Sequence, residues 1–255
     1  MQTQNHMGGK PTRQQLAVAK SIDRTQKLDY VRRDASTGLQ QASVQRIRAK
    51  AYRAYEKTFG RTLQGAADIA SGVRGSSQTT APGQLWPQAG SLRALEESSL
   101  RIWAREKGLL LDYREIDRRW REGGRIEGAE NRVFLNSDRV FKSNNLSYHR
   151  SWADLFDRIA LHHALFPEAS LRLEGFVETP EGLRPVVSQP VVRAERGAVR
   201  SEVEAIMRCR GFVRTRNDDY RRGPIVVEDL HDENVFVDKH GNVVVIDPAI
   251  FLKPE

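Results

Sequence analysis

The stretch IVVEDLHDENVFVDKHGNVVVIDP, residues 225–248, decides how the rest of the chain is read. It opens on the apolar run Ile225–Val227, passes through a polar segment and closes on Val243–Ile246. These residues predict a strand, a polar loop and a hairpin, with the turn at His240–Gly241. Asp229, His231, Asp232, Glu233, Asn234, Asp238 and Asp247 are thereby gathered between apolar strands. Polar side chains on a loop fixed at both ends are held rigidly, as a site requires.

Working upstream, AVRSEVEAIMRCR (198–210) predicts a helix closed by Gly211. LRLEGFVE (171–178) and LRPVVSQPVV (183–192) predict two strands around a turn at Pro180–Gly182. A helix starts at Ser151, with Ser151 and Asp154 as a capping-box-like pair. Trp152, Leu155, Phe156 and Ile159 give it an apolar stripe, and Pro167 follows its end. GGRIEGAENRVFLNSDRVFK (123–142) predicts two short strands around Asn136–Asp138, with Val133 and Leu135 on the first and Val140 on the second. Before them a helix starts after Ser91, shows Leu92, Leu95, Ile102 and Trp103 on one face, and stops at Gly108. The order does not alternate strand and helix as a doubly wound sheet would. It predicts an α+β domain in two lobes, over residues 91–255, with a cleft between them.

The region ahead of this domain differs in charge. Residues 1–85 hold 14 Lys/Arg and 5 Asp/Glu, and the remainder 27 and 28, so the net +8 belongs to the N-terminal third. Residues 1–72 read as basic and helical, with the first dozen disordered. Val44, Ile47, Ala51, Tyr52 and Tyr55 recur at three- and four-residue steps, a thin stripe that needs a partner surface. Residues 73–90, rich in Gly, Ser, Thr and Pro, read as a linker. Such a basic region can contact polyanions, although solvated basic helices are common and no aromatic platform accompanies the charge. No stretch approaches the roughly 18 apolar residues of a membrane span, and the N-terminus lacks the apolar run of a signal peptide. The single cysteine, Cys209, forms no internal disulfide, and the expected location is cytoplasmic.

Phosphoryl transfer needs a carboxylate to orient the attacking hydroxyl, hard oxygen ligands for magnesium and a cation on the phosphates. Asp229 suits the first task, and Asn234 with Asp247 the second. A zinc hydrolase built from His231, Asp232 and Asp247 fits less well, since such sites take two or three His and no H-x-x-x-H or Cys pair is present. GGK at 8–10 and Gly123-Gly124 do not complete a phosphate-binding Walker A pattern.

EDLHDENVFVDKHGNVVVIDP resembles the catalytic loop and metal-binding aspartate of protein kinases and aminoglycoside-type phosphotransferases. More narrowly, GAENRVF, RVFK, ALFPEASLRLEGF, VVSQPVV and DLHDENVFVD…GNVVVIDP resemble the small kinase domain of bacterial and phage polyvalent proteins, which belong to mobile elements. The resemblance implies a compact two-lobed kinase-like fold with a truncated C-lobe, using ATP and Mg2+. It implies that Gly123, Gly124 and Gly128 form a loop over the phosphates and that Lys142 contacts them. Gln189 to Val191 would be the hinge that bonds adenine. Asp229 would be the base, with His231 reaching the transferred phosphoryl group, and Asn234 and Asp247 would hold magnesium.

Some positions depart from the family pattern. Val227 and Glu228 replace the His-Arg pair before the catalytic aspartate, and Asp-Pro-Ala replaces Asp-Phe-Gly. The Ser151 helix offers no Glu for Lys142, which leaves Asp154, Asp157 or Glu130 as its acidic partner. The 8 residues after Asp247 leave no room for an activation segment or late helices that dock a protein. Two function classes follow: a kinase acting on an unidentified hydroxyl acceptor, or a pseudokinase-like module that binds nucleotide without transfer.

Overall fold

The computed structural model describes residues 38–77, 89–128, 130–215 and 219–253. Its helices are α1 (Gly38–Phe59), α2 (Thr62–Ser77), α3 (Ala89–Glu106), α4 (Tyr113–Glu122), α5 (Trp152–Leu165) and α6 (Arg200–Cys209). Its strands are β1 (Leu110–Leu111), β2 (Ile126–Glu127), β3 (Asn131–Asn136), β4 (Arg139–Asn144), β5 (Arg172–Thr179), β6 (Gly182–Pro190) and β7 (Ala194–Gly197). They continue as β8 (Val213–Arg214), β9 (Tyr220–Arg222), β10 (Ile225–Glu228), β11 (Val235–Asp238), β12 (Val243–Val245) and β13 (Ala249–Leu252).

The upper lobe is a six-stranded sheet in the order β1-β5-β6-β4-β3-β2, antiparallel except for the β1–β5 pair. That parallel pair depends on Gly175, whose φ is 153° and whose added Cβ would lie 2.5 Å from the Leu109 carbonyl oxygen. The lower lobe has two small antiparallel sheets, β13-β10-β9-β8 and β12-β11-β7. This is the α+β, kinase-like architecture that the sequence predicts. The 225–248 stretch folds as expected, and β13 adds to it by pairing with β10, Glu228 opposite Ala249.

Helix α5 is capped by the Ser151 hydroxyl, which accepts the Asp154 N–H at 3.1 Å. Its stripe of Trp152, Leu155, Phe156 and Ile159 is buried. The partner that α1 required is α5. Ala51, Tyr52 and Tyr55 are buried with it, and the Tyr55 hydroxyl accepts the Leu173 N–H at 2.7 Å. Leu63, Ala66 and Ala70 of α2, Leu100 and Ala104 of α3, Trp152 and Phe156 of α5, and Phe176 of β5 lie in the same core. Burying each large apolar side chain contributes about 1.5–3 kcal/mol. An N-terminal region that separates cleanly from the domain therefore does not describe this core. The chain order suggests a boundary at the Gly/Ser/Pro run, but the packing crosses it. Residues 78–88 of that run lie outside the described residues, and its two ends are helical in α2 and α3.

Helix α3 corrects a second expectation. It begins before Ser91, and Leu95 and Ile102 are 48% and 59% exposed. The buried face carries Glu96, Leu100 and Ala104 instead, because the Glu96 carboxylate accepts the Trp152 N–H at the start of α5, at 2.7 Å. A first-turn N–H of a helix has no partner within it, and Glu96 supplies one. Gly108 stops the helix as expected, at φ 65°.

Candidate active site

The loop between β10 and β11 begins with a bend at Asp229, which adopts φ 65°. A left-handed non-glycine residue costs about 1–3 kcal/mol and is held only where its surroundings fix it. Here they do. Asn234 donates from Nδ2 to the Asp229 carbonyl at 2.9 Å and to Asp229 Oδ2 at 3.1 Å. His231 Nε2 lies 3.2 Å from Asp229 Oδ1, and His231 Nδ1 accepts the Glu233 N–H at 3.2 Å. That acceptor role leaves the ring proton on Nε2, facing the carboxylate. The hydrogen bond to Asp229 raises the His231 pKa against the opposing effect of burial.

Asn234 is buried, and its Oδ1 has no hydrogen-bond partner. Its backbone carbonyl accepts the Ile246 N–H at 2.9 Å, which brings it beside Asp247. The loop is seated on Gly197 of β7, where an added Cβ would meet both Cβ and the carbonyl oxygen of Asp232 at 2.8 Å.

Asp247 is buried among charges. Lys142 of β4 places Nζ 3.3 Å from Asp247 Oδ1, and Arg158 of α5 places Nη2 3.2 Å from the same oxygen. Burial pushes the Asp247 carboxyl up, opposed by the two cations, and pushes the Lys142 ammonium down. Glu130 stands in the same cluster, 3.0 Å from His149 and 3.5 Å from Arg158 Nη1. Burial acts to raise its pKa, but Arg158 and His149 overcome this and hold it well below the usual carboxylate range. Of the three acids weighed for Lys142, Asp154 turns to Arg150 at 3.0 Å and Asp157 to Arg48 at 2.8 Å. Glu130 is the one that shares the lysine's buried cluster.

The glycines divide. Gly123 caps α4, its N–H bonded to the Arg119 carbonyl, and Gly124 follows at φ 95°. Gly128 alone lies in the β2–β3 turn, its N–H donating to the Asn131 carbonyl at 3.1 Å. At the expected hinge, Gln189 is buried with Oε1 unpartnered, while the Val191 N–H is already bonded to the Asp138 carbonyl at 2.8 Å. Beside it, Ile126, Val133 and Val140 of the upper sheet pack against Phe236, Val244 and Ile246 of the lower hairpin.

Arg158 and His149 were not read from the sequence. The signal for Arg158 was a lone cation three residues after Leu155 and one before Ile159, inside an apolar stripe. Among the described residues no group of three or more His, Cys, Asp and Glu is arranged to hold a metal ion.

A twisted sheet bearing a buried lysine, a helix packed beneath it, and a strand–loop–hairpin presenting Asp, Asn and Asp together define a kinase-like phosphotransferase. The chain belongs to the serine/threonine/tyrosine kinases found in polyvalent proteins, whose family model matches residues 93–254. Neither a curated protein nor a solved structure matches it. Among the described residues no helix is long and apolar enough to cross a membrane.

Proposed function

We propose that the domain transfers the γ-phosphoryl group of ATP to a hydroxyl acceptor, with magnesium. The observation that carries this reading is the buried Asn234 side chain. Its NH2 is spent on Asp229, and its oxygen has no hydrogen-bond partner. A buried polar atom without a partner costs about 1–3 kcal/mol, and a hard cation would satisfy this one. The donor set, one carboxamide oxygen and one carboxylate, suits magnesium. Held by Asn234 and Asp247, the ion would supply positive charge against the phosphates.

The chain's own residues do the rest. Lys142 turns its ammonium to the phosphates. Asp229, fixed by Asn234 and His231, orients the acceptor hydroxyl and takes its proton as the new P–O bond forms and the β–γ bridging P–O bond breaks. His231 Nε2–H faces Asp229 and helps hold that carboxylate in place, as a neighbour of the transferred group. The apolar cluster that includes Ile126 and Phe236 borders Gln189 and Val191, where adenine would sit, with the turn at Gly128 closing over the phosphates.

One feature favours binding without transfer: Asp247 is followed by Pro248-Ala249 where the kinase pattern has Phe-Gly. Incubation with labelled ATP and magnesium decides between the readings. Phosphate transfer by the wild type, lost in Asp229→Ala, supports the kinase. A magnesium-dependent melting shift without turnover supports the binding module, and the absence of any shift at millimolar Mg-ATP excludes both.

The basic N-terminal third carries a separate reading, contact with a polyanion. Arg46, Lys50, Arg53 and Lys57 recur at helical spacing and are exposed along α1.

A further inference from the structure

We infer that Arg158 is a positioning residue for Asp247, and that α1 sets it in place through Asp157. The inference rests on the reading of Asp247 as a ligand of the nucleotide's metal. Asp157 and Arg158 are neighbours on α5, so they project about 100° apart around the helix. Arg158 reaches into the cleft, 3.2 Å from Asp247 Oδ1 and 3.5 Å from Glu130 Oε1. Asp157 is gripped from the other side. Arg48 Nε donates to its Oδ1 at 2.9 Å and to its Oδ2 at 2.8 Å, and the Tyr52 hydroxyl bonds Oδ1 at 3.2 Å. Two grips on adjoining faces add to the buried stripe of α5 in fixing the rotation of the helix.

Arg158 also lines a cavity of about 90 Å³, together with Arg48, Asp154, Asp157, Ile250 and Phe251 among others. The guanidinium is positioned by its charge pairing and by where α5 is held. The family model begins at residue 93, so α1 lies outside the matched region yet carries the grip on Asp157. The geometry also reverses the charges expected of this helix. It presents a cation to the metal aspartate, while the acid of the cluster, Glu130, comes from the turn between β2 and β3.

The test is the magnesium concentration that gives half of the ATP-induced melting shift, measured on the full chain. Arg158→Met should raise it about tenfold, the usual effect of removing a group that orients a ligand. Arg158→Lys should recover part of that loss. Arg48→Gln should raise it about threefold with the melting temperature of the free protein little changed. In the Arg158→Met background Arg48→Gln should add nothing, because both act along one line. A folded Arg158→Met protein with wild-type magnesium dependence overturns the inference. An Arg48→Gln effect that persists undiminished in the double variant overturns the role of α1. Should Arg158→Met fail to fold, Arg158→Lys and Arg48→Gln carry the test, and wild-type behaviour in both overturns it. A wild-type protein with no magnesium-dependent shift instead overturns the functional reading on which this one stands.

Discussion

Tyr55 and Leu173 are joined by one hydrogen bond, from the Leu173 N–H to the tyrosine hydroxyl at 2.7 Å, across 118 positions of chain. The bond sits at the irregularity where β5 shifts register against β6, between Leu173 and Gly175. There the sheet leaves a main-chain donor that a neighbouring element must satisfy.

Tyr55→Phe should therefore destabilise the fold by about 1–3 kcal/mol, the cost of a buried donor without a partner. Urea unfolding measures it. A fragment beginning near Leu85 loses this bond and the apolar residues of α1 and α2 together, and should show no cooperative transition.

Gly197→Ala should act on the catalytic loop. The new Cβ meets backbone of Asp232, which cannot yield as a flexible side chain could. A stability loss of about 1–3 kcal/mol is expected from such overpacking. Phosphate transfer should fall further than stability predicts, because the displaced segment runs from Asp229 to Asn234. Turnover on a fully folded sample, checked by circular dichroism, separates the two effects.

Lys142→Ala should weaken both ATP binding and transfer, whereas Asp229→Ala should spare binding. Nucleotide titration by thermal shift, run beside the labelled-ATP assay, reads both quantities. Equal ATP affinity in Lys142→Ala and wild type would remove the lysine from the phosphate site.

Glu228 gives the pH dependence. Burial, with the nearby charges of Asp219 and Asp229, pushes its carboxyl up to about 7 from 4.5. The folded protein then holds a proton that the unfolded chain has released. Stability contributed by this group falls as pH rises from about 4.5 to about 7 and is level above that. Glu228→Gln should remove the fall, so that its urea midpoint exceeds that of the wild type at about pH 8 by more than at about pH 5.

The polyanion reading predicts salt-sensitive heparin retention of the full chain. Replacing Arg46, Lys50, Arg53 and Lys57 with Gln should lower the salt concentration of elution, since each neutralised phosphate contact releases counterions. Unchanged elution would mark the stripe as a solvated face.

Much of the lower lobe was legible in the sequence because its signals are local. Alternating valines, a polar loop and a His-Gly turn fix β10 to β12 without help from distant residues. The helix at Ser151 was equally plain, from its cap and its stripe. The face of α3 was not, since Glu96 is buried by a bond to a helix start 56 positions away. Helix α4 is harder to read because Tyr113–Glu122 buries none of its residues and its stripe is only Tyr113, Ile116 and Trp120. At the site, Asp229, Asn234 and Asp247 were visible as one motif. Arg158 was not, because the pairing that makes it meaningful reaches across 89 positions.

The last strand has a consequence for how the site tolerates change. With Glu228 opposite Ala249 and Ile225 opposite Leu252, the chain that leaves for residues 229–248 returns to the point it left. The seam of that circuit is made of main-chain bonds, which any strand-forming residue can supply. Phe251 and Leu252, half-buried, can therefore vary among such residues while the circuit stays closed, whereas Ala249 and Ile250 are also held by packing. A proline within it, lacking the N–H, would open the seam and release all three acidic and amide groups at once. The chemistry is thus fastened by a main-chain seam as well as by the buried side chains of its two strands.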